Sequence, residues 1–250
     1  MNKTDISNVY RTNKIYWDEN GNDFLAAIVL PAYGCNTLTE TELNLFGDVA
    51  GKKLLDIGCG NGESLKYHGN NKANELWGID ISKKQLEKAA QCLSASGYAA
   101  KLICGAMEDE CGLPLDYFDY IYSIYGIGWT TDLQGTFNRV ASYLKKDGLF
   151  IFSWSHHIHM CVAVEEGKAT FKNSYFNETW SERNLDGKEI LLCSRKISTY
   201  VNALAKAGFV IEQLIEQTND ETLQLTGELS DWTKKSQMVP LTAIFKARKL

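Results

Sequence analysis

Three prolines in 250 residues, no cysteine pair at CxxC spacing and no long apolar run set the first limits on this chain. The longest apolar stretch near its start, Phe24 to Tyr33, contains Pro31 and falls short of the ~20 residues a membrane-spanning helix needs. The opening MNKTDISNVYRTNK lacks the apolar core of a secretory leader. The seven cysteines (35, 59, 92, 104, 111, 161 and 193) are odd in number and scattered, so a disulfide framework is excluded. They read as reduced thiols of a cytoplasmic protein. A basic excess is also missing: 26 Lys and Arg against 31 Asp and Glu leave a net charge of −5. The lysine pairs at 52–53, 83–84, 145–146 and 234–235 are dispersed as on solvated faces, which argues against a nucleic-acid track. Binding of one nucleotide or a small anion stays open.

No repeat, low-complexity tract or Pro/Gly/Ser-rich linker divides the chain. It therefore reads as a helical cover over residues 1–50 and one domain over 51–250, with a β-hairpin insertion at about 160–195. In the cover, Ile15 to Leu30 is amphipathic, and Thr39 is placed to cap a short helix through Phe46. From residue 52, strands and helices alternate. Lys53–Ile57, Glu75–Ile79, Lys101–Cys104, Phe118–Ser123 and Leu149–Trp154 read as strands. Ser82-Lys-Lys-Gln85 matches a capping box, followed by Leu86, Ala89, Ala90 and Leu93 on one helical face. Leu133, Phe137, Val140, Ala141 and Leu144 mark a second helix, ended by Asp147-Gly148. The insertion holds two apparent hairpins, turning at Glu165–Lys168 and at Asp186-Gly187. A helix from Ser198 to Ala207 and the strands FVIEQLIE and LTAIFKARK complete the pattern. The expected fold is α/β: a doubly wound, Rossmann-like sheet of seven strands, mostly parallel with an antiparallel last strand, and helices on both faces. The hairpins fall right after the fifth strand, on the side such a fold keeps for substrate, and read as a lid over the site or a plain surface excursion.

The stretch Leu54-Leu-Asp-Ile-Gly-Cys-Gly-Asn-Gly62 drives a strand into a glycine turn that opens a helix. Gly58 and Gly60 let the backbone turn sharply and let a ligand lie against it. Twenty residues after Gly60, Asp80 ends the next strand, where its carboxylate can accept hydrogen bonds from both hydroxyls of an adenosine ribose. A dinucleotide fold wants G-x-G-x-x-G. Here the third glycine comes one residue early, and Glu63 stands where that fold has glycine. An acid at the helix start repels a pyrophosphate but not the zwitterionic S-adenosylmethionine.

LLDIGCGNG followed by ELWGIDIS resembles the first two motifs of class I S-adenosylmethionine-dependent methyltransferases. LICGAMEDECGLP, LDYFDYIYSIYGIGW and FNRVASYLKKDGLFIFSW are similar in kind and order to the later pieces, from residue 50 to 155. The resemblance implies S-adenosyl-L-methionine as cofactor. Asp56 and the Gly58-Cys59-Gly60 backbone would meet its methionine end, Asp80 its ribose, and Ile81 its adenine. Ala106, Met107 and Glu108 would border the adenine, with Ser123 and Tyr125 near the sulfonium. Many members carry Asp where this chain has Ala106, which shifts the adenine-amino contact to Glu108 or a backbone carbonyl.

If the acceptor needs a base, Ser155-His-His-Ile-His159 just beyond the fifth strand offers His156 first and His157 second; the plain alternative is a histidine that only hydrogen-bonds a neighbour. Tyr125 joins them as a candidate catalytic residue. On an extended chain His157, His159 and Cys161 share a face, but i, i+2, i+4 ligands spread too far for one ion, so no metal is expected. The fourth strand ends Ser-Ile-Tyr-Gly, not the Asn/Asp-Pro-Pro-Tyr/Phe of base and glutamine amino-methylating enzymes, and no Pro-Cys supplies a cytosine C5 nucleophile. The expected partner is a small-molecule methyl acceptor, with no membrane and a homodimer left open. Alternatives are an RNA or protein side chain as acceptor, a non-catalytic adenosyl-cofactor-binding protein, and a nicotinamide-dependent enzyme.

Overall fold

Residues 5–20, 27–185 and 187–250 are described by a computed structural model. Five strands alternate with helices: β1 (Lys53–Ile57), β2 (Glu75–Asp80), β3 (Ala100–Cys104), β4 (Phe118–Ile124) and β5 (Leu144–Ser155). Two hairpins follow, β6 (Val162–Glu165) with β7 (Lys168–Phe171) and β8 (Trp180–Leu185) with β9 (Lys188–Cys193), before β10 (Phe209–Ile215) and β11 (Thr242–Lys249). One seven-stranded sheet runs β10-β11-β5-β4-β1-β2-β3, and β11 is antiparallel to both its neighbours. β1 and β4, in the middle of the sheet, are buried over most of their length, as parallel strands covered by helices are. Phe137, Phe150, Phe152 and Phe245 pack as one aromatic row, with Phe152 stacked on Phe245 at 4.6 Å.

The helices are α1 (Ile6–Asn20), α2 (Glu40–Leu43), α3 (Glu63–Asn70), α4 (Lys83–Ala95), α5 (Leu133–Tyr143), α6 (His157–Cys161), α7 (Ile197–Lys206), α8 (Asp220–Gln224) and α9 (Asp231–Ser236). Neighbours of β1 were laid down in opposite directions, β2 on one side and β4 on the other. Strand order therefore reverses between β1 and β4, and a crevice opens at their carboxyl ends.

Several expected boundaries move. The first helix spans Ile6–Asn20 rather than Ile15–Leu30; residues 27–30 are not α-helical, and residues 21–26 lie outside the described residues. Its buried face is Val9, Asn13 and Tyr16, and the polar Asn13 interrupts the hydrophobic period there. Thr39 caps α2 through a capping box with Glu42, but Asn44 in the left-handed region ends that helix at Leu43, three residues short of Phe46. α5 stops at Tyr143, and the Asp147-Gly148 turn lies within β5, where the β4 pairing shifts register. The capping box at α4 is half formed. Ser82 Oγ accepts from Gln85 N, but Gln85 does not reach back, because the stronger acceptor Asp80 Oδ1 takes the Ser82 N–H at 2.8 Å. The first hairpin turns through Glu166 and Gly167, both at positive φ as a two-residue turn requires; Asp186 of the second turn lies outside the described residues. Among the described residues no helix is long and apolar enough to cross a membrane.

Candidate active site

At the end of β1 the chain turns back sharply: Gly58 N and Cys59 N both donate to Ile79 O of β2, at 2.8 and 3.0 Å. Gly58 and Gly60 adopt positive φ, a region glycine enters without strain. A Cβ on Gly58 would stand 3.3 Å from Gly126 Cα, so the turns after β1 and β4 touch. A Cβ on Gly62 would lie 2.9 Å from Ala89 Cβ, which is how α3 packs close to α4. Glu63 faces away from the turn, paired with Lys66 at 3.0 Å and accepting from the Cys92 thiol.

Two buried carboxylates flank this turn. Asp80 accepts the Gly60 N–H on Oδ2 at 2.9 Å and the Ser82 N–H on Oδ1 at 2.8 Å. A carboxylate offers about four lone-pair sites, so each oxygen retains capacity for one more donor. Burial pushes the Asp80 carboxyl up to about 6, against the pull of those two N–H groups. Asp56 lies deeper. Burial pushes it well above the usual carboxylate range, opposed by the neighbouring Tyr122 phenol and reinforced by Asp80. Asp56 Oδ1 and Tyr122 OH are nonetheless both without a hydrogen-bond partner of acceptable geometry. Burial and the two carboxylates also raise the Cys59 thiol, which makes it a small apolar filler rather than a nucleophile.

A cavity of about 930 Å³, its open mouth included, lies over the turns. Asp56, Gly58, Cys59, Gly60, Asp80, Ile81, Ala106, Met107, Glu108 and Tyr125 all line it, so ten of the thirteen sequence-derived candidates come together. Glu108 accepts from Thr130 Oγ1 at 3.2 Å and from both the N–H and the hydroxyl of Thr131, which ties the β3 loop to the segment after β4. Tyr125 sits at φ +53°, its phenol bonded to Thr242 Oγ1 at 2.8 Å.

The other three candidates lie elsewhere. Ser123 is fully buried behind the wall, donating to Ile57 O at 2.7 Å. His156 does not line the cavity: it caps α6, with Nδ1 accepting the Ile158 N–H and Nε2 bonded to Glu216 Oε1 at 2.5 Å. Accepting at Nδ1 leaves the ring proton on Nε2, so no lone pair remains to take a proton from an acceptor. His157 bonds Tyr175 O through Nε2 and also stands off the cavity. The histidine run is helical rather than extended, so His157, His159 and Cys161 do not share a strand face.

The sequence points to a helical cover over residues 1–50 but singles out none of the side chains it brings to the cavity. Tyr10, Asn13 and Trp17 of α1 line the cavity together with Trp129 from the turn after β4. Trp17 meets Trp129 edge-on at 5.2 Å. Asn13 imitates a strand neighbour, donating to Leu191 O at 2.8 Å and accepting from Leu191 N at 2.9 Å, so α1 is clasped to β9. Asp18 bridges Lys14 and the Ser82 hydroxyl, fastening α1 to the start of α4. The one local signal was the aromatic density of Tyr10, Tyr16 and Trp17.

A family profile described as a methyltransferase domain matches residues 55–152, the stretch from β1 to β5. An uncharacterized protein of Haemophilus influenzae is 30% identical over 224 residues, covering 84% of this chain and 86% of that one. An S-adenosylmethionine-dependent methyltransferase of Mesorhizobium loti superposes with a TM-score of 0.70 at 24% identity, over 84% of this chain and 96% of that one. The chain belongs to the class I S-adenosylmethionine-dependent methyltransferases. A ubiquinone biosynthesis O-methyltransferase of Chromobacterium violaceum is 29% identical over 126 residues, 49% of this chain and 53% of that protein.

The cofactor of this methyltransferase is S-adenosyl-L-methionine, and the site fits it. Asp56 Oδ1 is a buried acceptor in need of a donor, as a cofactor amine provides. A Cβ on Gly60 would meet nothing within 4 Å, so that turn leaves room for a ligand against its backbone. No lysine or arginine lines the cavity among the described residues, as suits a ligand without phosphate.

Proposed function

We propose that this methyltransferase transfers a methyl group to a small-molecule acceptor. The observation that carries the reading is the roof: α1, clasped at its middle by Asn13 and near its C-terminal end by Asp18, lies over the cavity and adds aromatic side chains to a wall otherwise built from the cofactor motifs. A covered cavity with Tyr10, Trp17, Tyr125 and Trp129 in its lining suits a compact acceptor better than an RNA strand or a protein side chain. The net charge of −5 supports the same choice. Oxygen as the accepting atom draws support from the ubiquinone O-methyltransferase relatives.

Each residue's role follows from its placement. Asp56 and the Gly58–Gly60 turn would receive the amino-acid end of the cofactor, and Asp80 its ribose hydroxyls through the free capacity on both oxygens. Ile81, Ala106 and Met107 would border the adenine. Glu108, already occupied by Thr130 and Thr131, shapes that edge rather than reaching across it. When bound, the cofactor supplies an activated methyl group on a good leaving group. What remains for the protein is to align the acceptor and keep water out. Trp17, Trp129 and Tyr125 offer faces that tolerate a positive charge, and α1 excludes solvent. No histidine lines the cavity among the described residues, so this account assigns no imidazole base.

The test is transfer from methyl-labelled cofactor into a cell extract separated by size. The expected result is enzyme-dependent label in the low-molecular-weight fraction. Label confined to RNA or protein would overturn the small-molecule reading.

A further inference from the structure

Arg195, between β9 and α7, is only 8% exposed, yet its hydrogen bonds run to carbonyls rather than to a carboxylate. Nη1 donates to Gly128 O at 3.3 Å and Nη2 to Thr130 O at 2.6 Å. Those two carbonyls flank Trp129, the last residue of the 3-10 turn Ile127–Trp129. Trp180 of β8 lies 5.7 Å from the guanidinium carbon and contributes a cation–π contact. Taking a guanidinium out of water is costly, and here two carbonyls, the Trp180 ring and the neighbouring Tyr200 phenol compensate it. The two bonds to carbonyls tie Arg195 to the backbone on either side of Trp129.

They hold a turn with two connections to the cavity. Trp129 contributes the wall, with its ring 5.2 Å from Trp17 and 6.0 Å from Trp154. Thr130 and Thr131 anchor Glu108, which borders the cavity from the β3 side. Gly128 is forced by the same packing, since any Cβ there would run into the Trp154 indole. Gly128 thus brings no side chain to the turn; the Thr130 hydroxyl braces one end through Thr136 and Glu108, and the carbonyls of Gly128 and Thr130 are held by a residue 65 to 67 positions away. Arginine suits this task because its planar fork presents separate donors to two acceptors in a fixed geometry, where lysine offers a single rotatable ammonium.

We infer that Arg195 is a positioning residue: by splinting the Gly128–Thr130 turn it sets Trp129 and, through Thr130 and Thr131, Glu108 for ligand binding. It touches neither ligand and acts through those side chains. The inference rests on the cofactor cavity and not on the identity of the acceptor.

The experiment titrates S-adenosylhomocysteine calorimetrically into wild type, Arg195→Met, Arg195→Lys, Trp129→Ala and the double variant Arg195→Met/Trp129→Ala. Near-ultraviolet circular dichroism of the Trp17–Trp129–Trp154 cluster is recorded beside it. Arg195→Met should weaken binding about tenfold and flatten the aromatic signal, and Arg195→Lys should recover part of both. The double variant should bind less weakly than the product of the single losses requires, since the two residues act along one path. A wild-type affinity and aromatic signal in Arg195→Met overturns the inference, and so do losses that multiply in the double variant. If the Met variant does not fold, Arg195→Lys decides alone: a loss of about two- to fivefold is expected, and unchanged affinity overturns the proposal. Failure of wild type itself to bind would count against the cofactor site, while the aromatic signal still judges Arg195.

Discussion

Asp80 Oδ2 accepts the Gly60 N–H at 2.9 Å, so the carboxylate ending β2 and the glycine turn after β1 form one unit. Its other oxygen holds the Ser82 N–H at the start of α4. Three elements thus meet at a single side chain, which presents its remaining lone pairs to the cavity.

Replacing that side chain should affect ligand and fold together. Asp80→Ala should weaken S-adenosylmethionine binding by about 1.5–3 kcal/mol, the usual worth of hydrogen bonds to a charged group. Calorimetry measures it directly, and unchanged affinity would remove Asp80 from the ribose contact.

Stability of the free protein should depend on pH through the same residue. Asp80 holds its proton to about pH 6 in the folded chain, against about 3.9 for an ordinary aspartate. Between those values the folded state binds more protons than the unfolded state, so this group's contribution to stability falls as pH rises. The contribution is fully present below about pH 4 and lost above about pH 6. Asp80→Asn cannot titrate, so wild type should lose on the order of 2–3 kcal/mol relative to the variant across that window. Urea unfolding at pH 4, 5, 6 and 7 gives the comparison, and a flat difference contradicts the burial-driven shift.

His156 should behave as a structural residue. Its ring caps α6 through Ile158 N and is tethered to Glu216. His156→Ala should cost about 1–3 kcal/mol of stability and leave cofactor affinity within about twofold. Methyl transfer reduced about a hundredfold with stability intact would restore it as a base.

The clasp between α1 and β9 gives a fourth expectation. Asn13→Ala strands the Leu191 N–H and C=O in a buried setting. The loss should be about 2–3 kcal/mol, concentrated in α1. Hydrogen exchange should show faster exchange across residues 6–20, with slower or no change in β1 and β4, and cofactor affinity should fall severalfold. Uniform destabilisation would mean that α1 is not a separable roof.

These residues also mark how far the sequence could be read. The strand–glycine-turn–helix from Leu54 to Gly62, the acid at Asp80 and the Ser82 cap were legible because their partners lie near in the chain or one strand over. The mostly parallel character of the sheet followed from alternation of strand and helix. Asn13 was not legible, since a polar residue on a buried face looks like an exposed one until Leu191, 178 residues on, is seen to pair with it. His156 misled for the same reason: its partner Glu216 is 60 residues away and directs the ring out of the site. Arg195 carries no motif at all, and its two carbonyl partners belong to a turn that the fold brings back to it.

The most direct test of the account is the structure of the protein with S-adenosylhomocysteine and a bound acceptor from the extract. The account predicts the ribose hydroxyls within about 3 Å of Asp80 and the amine near Asp56, with the acceptor under α1 against Trp17 and Trp129. An adenosyl group bound elsewhere, or an acceptor reaching the sulfur from outside an α1 that has swung clear, would contradict it.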